Sequence, residues 1–262
     1  MTIAVDWHLA RALLEWQVEL GVTDTVLAEP VDRFARAEIL AQTPAVAPEA
    51  QRQAPAVDVG PDPTQEAMRL AKDATDLPAL RDALQNFPHC DLRRGARSCV
   101  FADGNPDARV MIIGEGPGAD EDRQGRPFVG KAGQLLDAMF AAIGLSRGSP
   151  EPDTAFYVTN TVPWRPPANR EPTLEELAML RPFLQRHIEL AAPEILVLVG
   201  NVACNALLGQ RGIMKLRGTW TQVQGIPALP MVHPANLLRN PEAKREAWAD
   251  LLAVKARLKQ RG

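Results

Sequence analysis

Four loops of this sequence carry side chains that could recognise a flat ring. The first reads Gly114-Glu115-Gly116-Pro117-Gly118-Ala119-Asp120-Glu121-Asp122 and sets glycines directly after an apolar run. Glycines there let backbone N–H groups come close to a ligand, and a tight turn with solvated acids is the plain alternative. No Gly-Lys-Ser/Thr follows at Walker spacing, and four acids would repel a nucleoside triphosphate. A second loop, Arg126-Pro127-Phe128-Val129-Gly130-Lys131-Ala132-Gly133, displays an aromatic between glycine-bounded turns. Phe128 could be an ordinary core ring or one that stacks on a flat base. Asn160 ends a β-rich run and precedes Val162-Pro163-Trp164-Arg165-Pro166-Pro167-Ala168-Asn169-Arg170. A carboxamide there is either a turn residue or a reader that donates to a carbonyl and accepts from a neighbouring ring N–H. The last loop, His233-Pro234-Ala235-Asn236-Leu237-Leu238-Arg239-Asn240-Pro241, puts two leucines beside an arginine on the surface, as if something were inserted there.

The elements that must hold these loops follow from hydrophobic pattern. Apolar strands are predicted over 109–114, 156–162, 195–200 and 228–233. Helices are predicted over 133–143, 174–190, through Cys204 to 208, and over 241–258. Short apolar strands alternating with helices make an α/β fold with a parallel sheet covered on both faces. Ligands of such sheets lie beyond the carboxyl ends of the strands, so the loops after Gly114, Asn160 and His233 should converge. Upstream, helices are expected over 9–20, 30–40 and 77–86. Between the second and third of these, residues 43–63 hold five prolines and almost no bulky apolar side chain, the composition of an extended linker. The expected organisation is a helical extension (1–42), a Pro/Ala-rich linker (43–64) and one catalytic domain (65–262).

A chain of 262 residues with 46% apolar side chains can bury one good core plus appendages. The start MTIAVDWHLARALLEW lacks a signal peptide's basic opening, and no apolar run is long enough to span a membrane. Cys90, Cys99 and Cys204 form neither a disulfide framework nor a zinc-like cluster, so the expected compartment is the cytoplasm. The net charge of −3 hides an asymmetry. Residues 1–75 carry 12 acids and 6 bases (−6), and residues 76–262 carry 20 acids and 23 bases (+3). The back half therefore permits DNA as a partner without demonstrating it.

GEGPGADED, PFVGKAGQLLD, TN followed by RPPANR, and HPANLLRNP occur in order over about residues 85–258, and this ordered set resembles the family-four uracil-DNA glycosylases. The resemblance implies a three-layer αβα fold with a central four-stranded parallel sheet. It also implies a monofunctional, metal-independent DNA-repair enzyme, acting as a monomer on uracil in single- and double-stranded DNA. By motif position, Phe128 would stack on a flipped-out uracil and Asn160 would read its N3–H and O4 edge. Backbone donors around Gly116 and Gly118 would bind the base. His233 would face uracil O2, and Glu115 would position water and stabilise the sugar cation, with Asp120, Glu121 and Asp122 as rivals for that role. Leu237 and Leu238 would wedge into the gap, and Arg239 with the start of the last helix would hold phosphates. His8, His89 and His187 lie outside the expected site loops.

The chain departs from that family at its iron–sulfur site. The four ligand positions fall on Phe87, Cys90, Trp164 and Leu180, and one thiol of four cannot hold a cluster. No cofactor is therefore expected, and an apolar plug should fill the space. Gly118 also stands where more stringent glycosylases place an aromatic against C5 of uracil, which leaves room for a broader range of damaged bases. Two rivals remain. One is a uracil-DNA capture protein with little turnover, disfavoured because RQGRPFVGKAGQ lacks the histidine-bearing insertion of covalently binding relatives. The other is a scaffold whose N-terminal segment docks a repair partner.

Overall fold

The computed structural model describes Arg11 and residues 62–260, so, Arg11 apart, the expected helices at 9–20 and 30–40 and most of the linker lie outside the described residues. The linker's expected end is corrected. Pro63 is the first residue of helix α1 (Pro63–Asp73), and the Asp62 carboxylate caps it by accepting from the Thr64 N–H at 3.0 Å. Proline suits that first turn because its missing N–H would have had no helical partner. Helix α2 (Leu77–Asn86) is capped in the same manner by Asp76, and the short α3 (Leu92–Gly95) follows.

A six-stranded sheet forms the middle of the domain. Its strands are β1 (Ala102–Gly104), β2 (Val110–Gly114), β3 (Tyr157–Asn160), β4 (Ile195–Val199), β5 (Thr221–Val223) and β6 (Ile226–Met231), in the order β1-β3-β2-β4-β6-β5. The four inner strands are all parallel, as expected. Two three-residue antiparallel strands close the edges, and these were not foreseen. The inner strands are buried on both faces, which is why they read as near-continuous apolar runs.

Side chains alternate across the sheet with period two. Val110, Ile112 and Val197 pack against Leu136 and Phe140 of α5 (Lys131–Ala141) and Leu251 and Val254 of α10 (Lys244–Lys259). Met111, Ile113 and Leu198 face Leu184 and Ile188 of α6 (Leu174–Ala191) and Ala203 and Cys204 of α7 (Asn201–Leu208). That is the three-layer αβα arrangement. Beyond α6 and α7, α1 and α2 join a third apolar cluster with Leu177, Leu180, Phe183, Val202 and Ala206. None of the described helices is long and apolar enough to cross a membrane.

One buried polar pair makes the fold acid-sensitive. His187 on α6 is buried, bonds to the Tyr157 hydroxyl at 3.0 Å and stacks on Phe101 with ring centroids 4.4 Å apart. Burial pushes its imidazole down from 6.5 to about 3. The unfolded chain then binds a proton there that the folded one refuses, so stability is full above the unfolded value and falls as pH drops toward the folded one. Urea melts between pH 6.5 and 4 should show a loss approaching about 1.4 kcal/mol per pH unit from this group. The His187→Gln variant should show a flatter slope, and equal slopes would remove His187 as the cause.

Candidate active site

The β2, β3 and β6 loops meet at the carboxyl edge of the sheet, as the topology requires. Gly114 pairs with Asn160 across β2 and β3. A Cβ on Gly114 would lie 2.5 Å from the tip of the Phe128 ring and 2.6 Å from Asn160 Oδ1. The missing side chain is thus the space in which ring and carboxamide come together. Asn160 is 7% exposed, and its carboxamide makes no hydrogen bond to the other described residues. Among the described residues no buried polar side-chain atom lacks a partner, so the carboxamide atoms open to solvent, where a ligand can meet them.

His233 closes the other side. Its ring stacks on Phe128 at 5.6 Å between centroids, 27° from parallel. It is also the N-cap of α9 (Pro234–Arg239), where its Nδ1 accepts the Ala235 N–H at 3.2 Å. An accepting Nδ1 leaves the proton of the neutral ring on Nε2, so that nitrogen is a donor. Burial lowers the imidazole's affinity for a second proton, while Glu115 and Glu121 raise it and Arg239 lowers it. A neutral donor beside an aromatic face and an open carboxamide can bind one planar lactam by its face and two edges.

The four acids of the first loop are sorted by their partners. Asp120 pairs with Arg123 at 2.7 Å. Asp122 is buried and accepts the Arg97 and Ser98 N–H groups at 2.8 and 3.1 Å. Glu121 spans two loops: Oε1 accepts from Val129 and Gly130, both at 2.9 Å, and Oε2 from Gly118 at 3.1 Å. Glu115 lies at the end of β4, beside Gly200 and Val202. Its Oε1 accepts only a long bond of 3.4 Å from the Val202 N–H at the start of α7. It fits there because the neighbouring position is Gly200, where a Cβ would meet Oε1 at 2.3 Å and φ is +96°.

Two expected contacts are altered. The Gly118 N–H is taken by Glu121, so of the two glycines only Gly116 has its amide free for a ligand. The segment after His233 is a helix rather than an open loop, and successive side chains on it point about 100° apart. Leu237 is therefore 1% exposed in the core, Leu238 is 47% exposed, and Arg239 lies on the surface. The expected pair of surface leucines is therefore reduced to one, Leu238. Glu121 was foreseen only as a rival to Glu115, and its position at the third residue of α4 (Ala119–Gln124) was the available sign of a capping role.

The residues at the iron–sulfur positions do not fit a cluster. Phe87, Cys90, Trp164 and Leu180 are 0%, 1%, 2% and 1% exposed and share one apolar cluster. Burial pushes the Cys90 thiol up to about 11, away from the thiolate that a metal needs. Among the described residues no group of three or more His, Cys, Asp or Glu is placed to hold a metal ion.

The model of the uracil DNA glycosylase superfamily matches residues 101–252. The type-4 uracil-DNA glycosylase of Thermotoga maritima is 37% identical over 180 residues, 66% of this chain and 90% of the relative. That of Pyrobaculum aerophilum is 35% identical over 185 residues, 67% of this chain and 91% of the relative. A type-5 uracil-DNA glycosylase of Thermus thermophilus is 37% identical over 122 residues, but that match covers 55% of the relative. Because that family model matches more than half of its residues, the chain belongs to the uracil DNA glycosylase superfamily, and it is similar to type-4 members.

Proposed function

We propose that this chain is a uracil-DNA glycosylase that acts on a flipped-out uracil without metal or iron–sulfur cluster. The observation that carries this reading is the open Asn160 carboxamide beside the Phe128 ring at Gly114, with the Nε2–H donor of His233 stacked on that ring. Phe128 stacks on the base. Asn160 donates from Nδ2 to uracil O4 and accepts from N3–H at Oδ1, a pattern that cytosine reverses. The Gly116 N–H adds a fixed donor. As the bond between sugar C1′ and base N1 breaks, its electron pair moves into the ring, and His233 stabilises the charge that grows on O2. Glu115 stabilises the cationic sugar and orients the water that adds to C1′, giving free uracil and an abasic site. Leu238 fills the gap left by the base, and Arg239 holds a flanking phosphate. Uracil in single- or double-stranded DNA is the partner, the protein works as a monomer in the cytoplasm, and the segment before residue 65 is dispensable for chemistry.

Incubation with a uracil-containing oligonucleotide, followed by alkali, tests this directly. Strand scission at uracil with many turnovers and no sensitivity to EDTA is expected. A stoichiometric adduct, or binding with no release, would instead favour the capture protein. The base range is proposed to extend beyond uracil, because Gly118 presents no aromatic to C5. A panel of damaged bases in the same assay decides that point.

Asn160→Asp replaces the Nδ2 donor with an anion aimed at O4. Uracil release should fall about 10- to 100-fold, the effect of one buried hydrogen bond lost without replacement. Affinity for uracil-free DNA should stay near parental, since no phosphate contact is touched. Parental release by this variant would take Asn160 out of the pocket.

A further inference from the structure

Phe128 is held in an unusual conformation, and the group that holds it lies outside the four site loops. Its φ is +53°, in the left-handed region that costs a non-glycine residue roughly 1–2 kcal/mol. A ring kept on such a backbone will swing away unless its peptide groups are fixed on both sides. After Phe128, the N–H groups of Val129 and Gly130 go to Glu121. The carbonyls of the peptides before and after Phe128 both go to Arg147, in the loop after α5.

Arg147 Nη1 donates to the Pro127 carbonyl at 2.7 Å, and Nη2 donates to the Phe128 carbonyl at 3.0 Å. The other N–H groups go to Asp137 Oδ1, from Nε at 3.1 Å and Nη2 at 2.8 Å, and to Asp103 Oδ2, from Nη1 at 2.9 Å. A guanidinium has five N–H donors, and all five are engaged. The side chain is 11% exposed. Its two carboxylate partners sit on different elements, β1 and α5, so the fork is fixed to the scaffold before it reaches the loop. The sequence shows no sign of this, since Arg147 lies in GLSRGSP, a stretch with none of the site's residue types.

We infer that Arg147, anchored by Asp103 and Asp137, is a positioning residue that sets the Phe128 ring against the base. Arg147 touches no substrate atom and acts only through the two carbonyls. This rests on the reading that Phe128 stacks on uracil. Lysine at position 147 would keep the charge but not the geometry, because its single ammonium cannot reach two carbonyls and two carboxylates as a planar fork does.

The test compares Arg147→Lys, Arg147→Ala and Phe128→Ala with the parent, well below their melting temperatures. The readouts are single-turnover uracil release at saturating DNA, inhibition by free uracil, and affinity for uracil-free duplex. Both Arg147 variants should release uracil about 10- to 100-fold more slowly, the order expected when a reacting group is misplaced by about 1 Å. Inhibition by free uracil should weaken in parallel, and duplex affinity should stay within about twofold. Millimolar guanidinium should restore part of the rate to Arg147→Ala, and Phe128→Ala/Arg147→Lys should be no slower than Phe128→Ala alone. If Arg147→Ala fails to fold, Arg147→Lys carries the comparison. Parental rate and uracil inhibition in Arg147→Lys, with Phe128→Ala impaired, would overturn the inference. Equal losses in duplex affinity and uracil inhibition would also overturn it, because they mark a general structural role. A parental Phe128→Ala would instead remove the stacking reading on which the inference stands.

Discussion

His233→Ala should release uracil about 100- to 1000-fold more slowly than the parent, the usual effect of removing one oxyanion-type donor. The loss should appear in the single-turnover rate at saturating DNA, with affinity for uracil-containing DNA largely kept. Two roles meet in this residue and must be separated. Nδ1 caps α9 through Ala235, so alanine also costs roughly 1 kcal/mol of cap stability. His233→Asn keeps a cap acceptor but loses the imidazole N–H, so its stability should stay near parental while its rate does not. The pH profile gives a second check. Burial depresses this imidazole below its ordinary 6.5, so the ring stays neutral through the neutral range. Activity should fall only as pH drops through that depressed value, when Nδ1 takes a proton and loses the Ala235 bond. An unchanged rate in His233→Ala would return the residue to a purely structural role.

Trp164→Ala should destabilise the protein by about 3–5 kcal/mol, as large-to-small changes do in a closed core. For a domain of this size that corresponds to a fall in Tm of about 6–20 °C. The family resemblance implies that, with four cysteines, metal–thiolate bonds would tie the segment before the sheet to the loop after β3. Here Phe87 ends α2, Trp164 sits in that loop and Leu180 is on α6, so three segments meet in one apolar cluster instead. Phe87 adds edge-on ring contacts with Phe183 and His89, each 5.3 Å between centroids. The loop is held again downstream, where Arg170 forks onto Glu176 at 2.8 and 2.6 Å. Purified protein should be colourless, with no iron by elemental analysis and unchanged activity after chelation. Stoichiometric iron, or a melting temperature unmoved by Trp164→Ala, would refute this account of the cross-link.

What the sequence disclosed followed from burial. Residues 110–114 and 195–199 are apolar throughout because both faces are covered, and the topological rule then placed Asn160 and His233 at one edge of the sheet. Ala102–Gly104 and Thr221–Val223 escaped notice because a three-residue strand is too short to show a pattern. ADEDRQ is too polar to announce α4, although its Glu121 at the third position was a capping sign. PANLLR was read as a loop with two exposed leucines, yet Pro234 after an N-cap is how a short helix begins, and helical geometry sends Leu237 inward. Beyond that capping sign, the allocation of the four acids was not legible. It depends on which loop amides lie within 3 Å, and Val129 with Gly130 comes near Glu121 only once β2 and α5 are packed.

The two edge strands have a consequence for handling the molecule. A sheet that ended in a long bare strand would offer a template to the next molecule, and solutions of it would lose protein to association. Here each border is three residues long, and β1 contains Asp103 and ends at Gly104 with φ +94°. The long apolar strands that could seed fibres all lie inside and become available only when the whole sheet opens. Shelf life should accordingly be set by the rate of global unfolding, rising steeply with temperature and depending little on protein concentration.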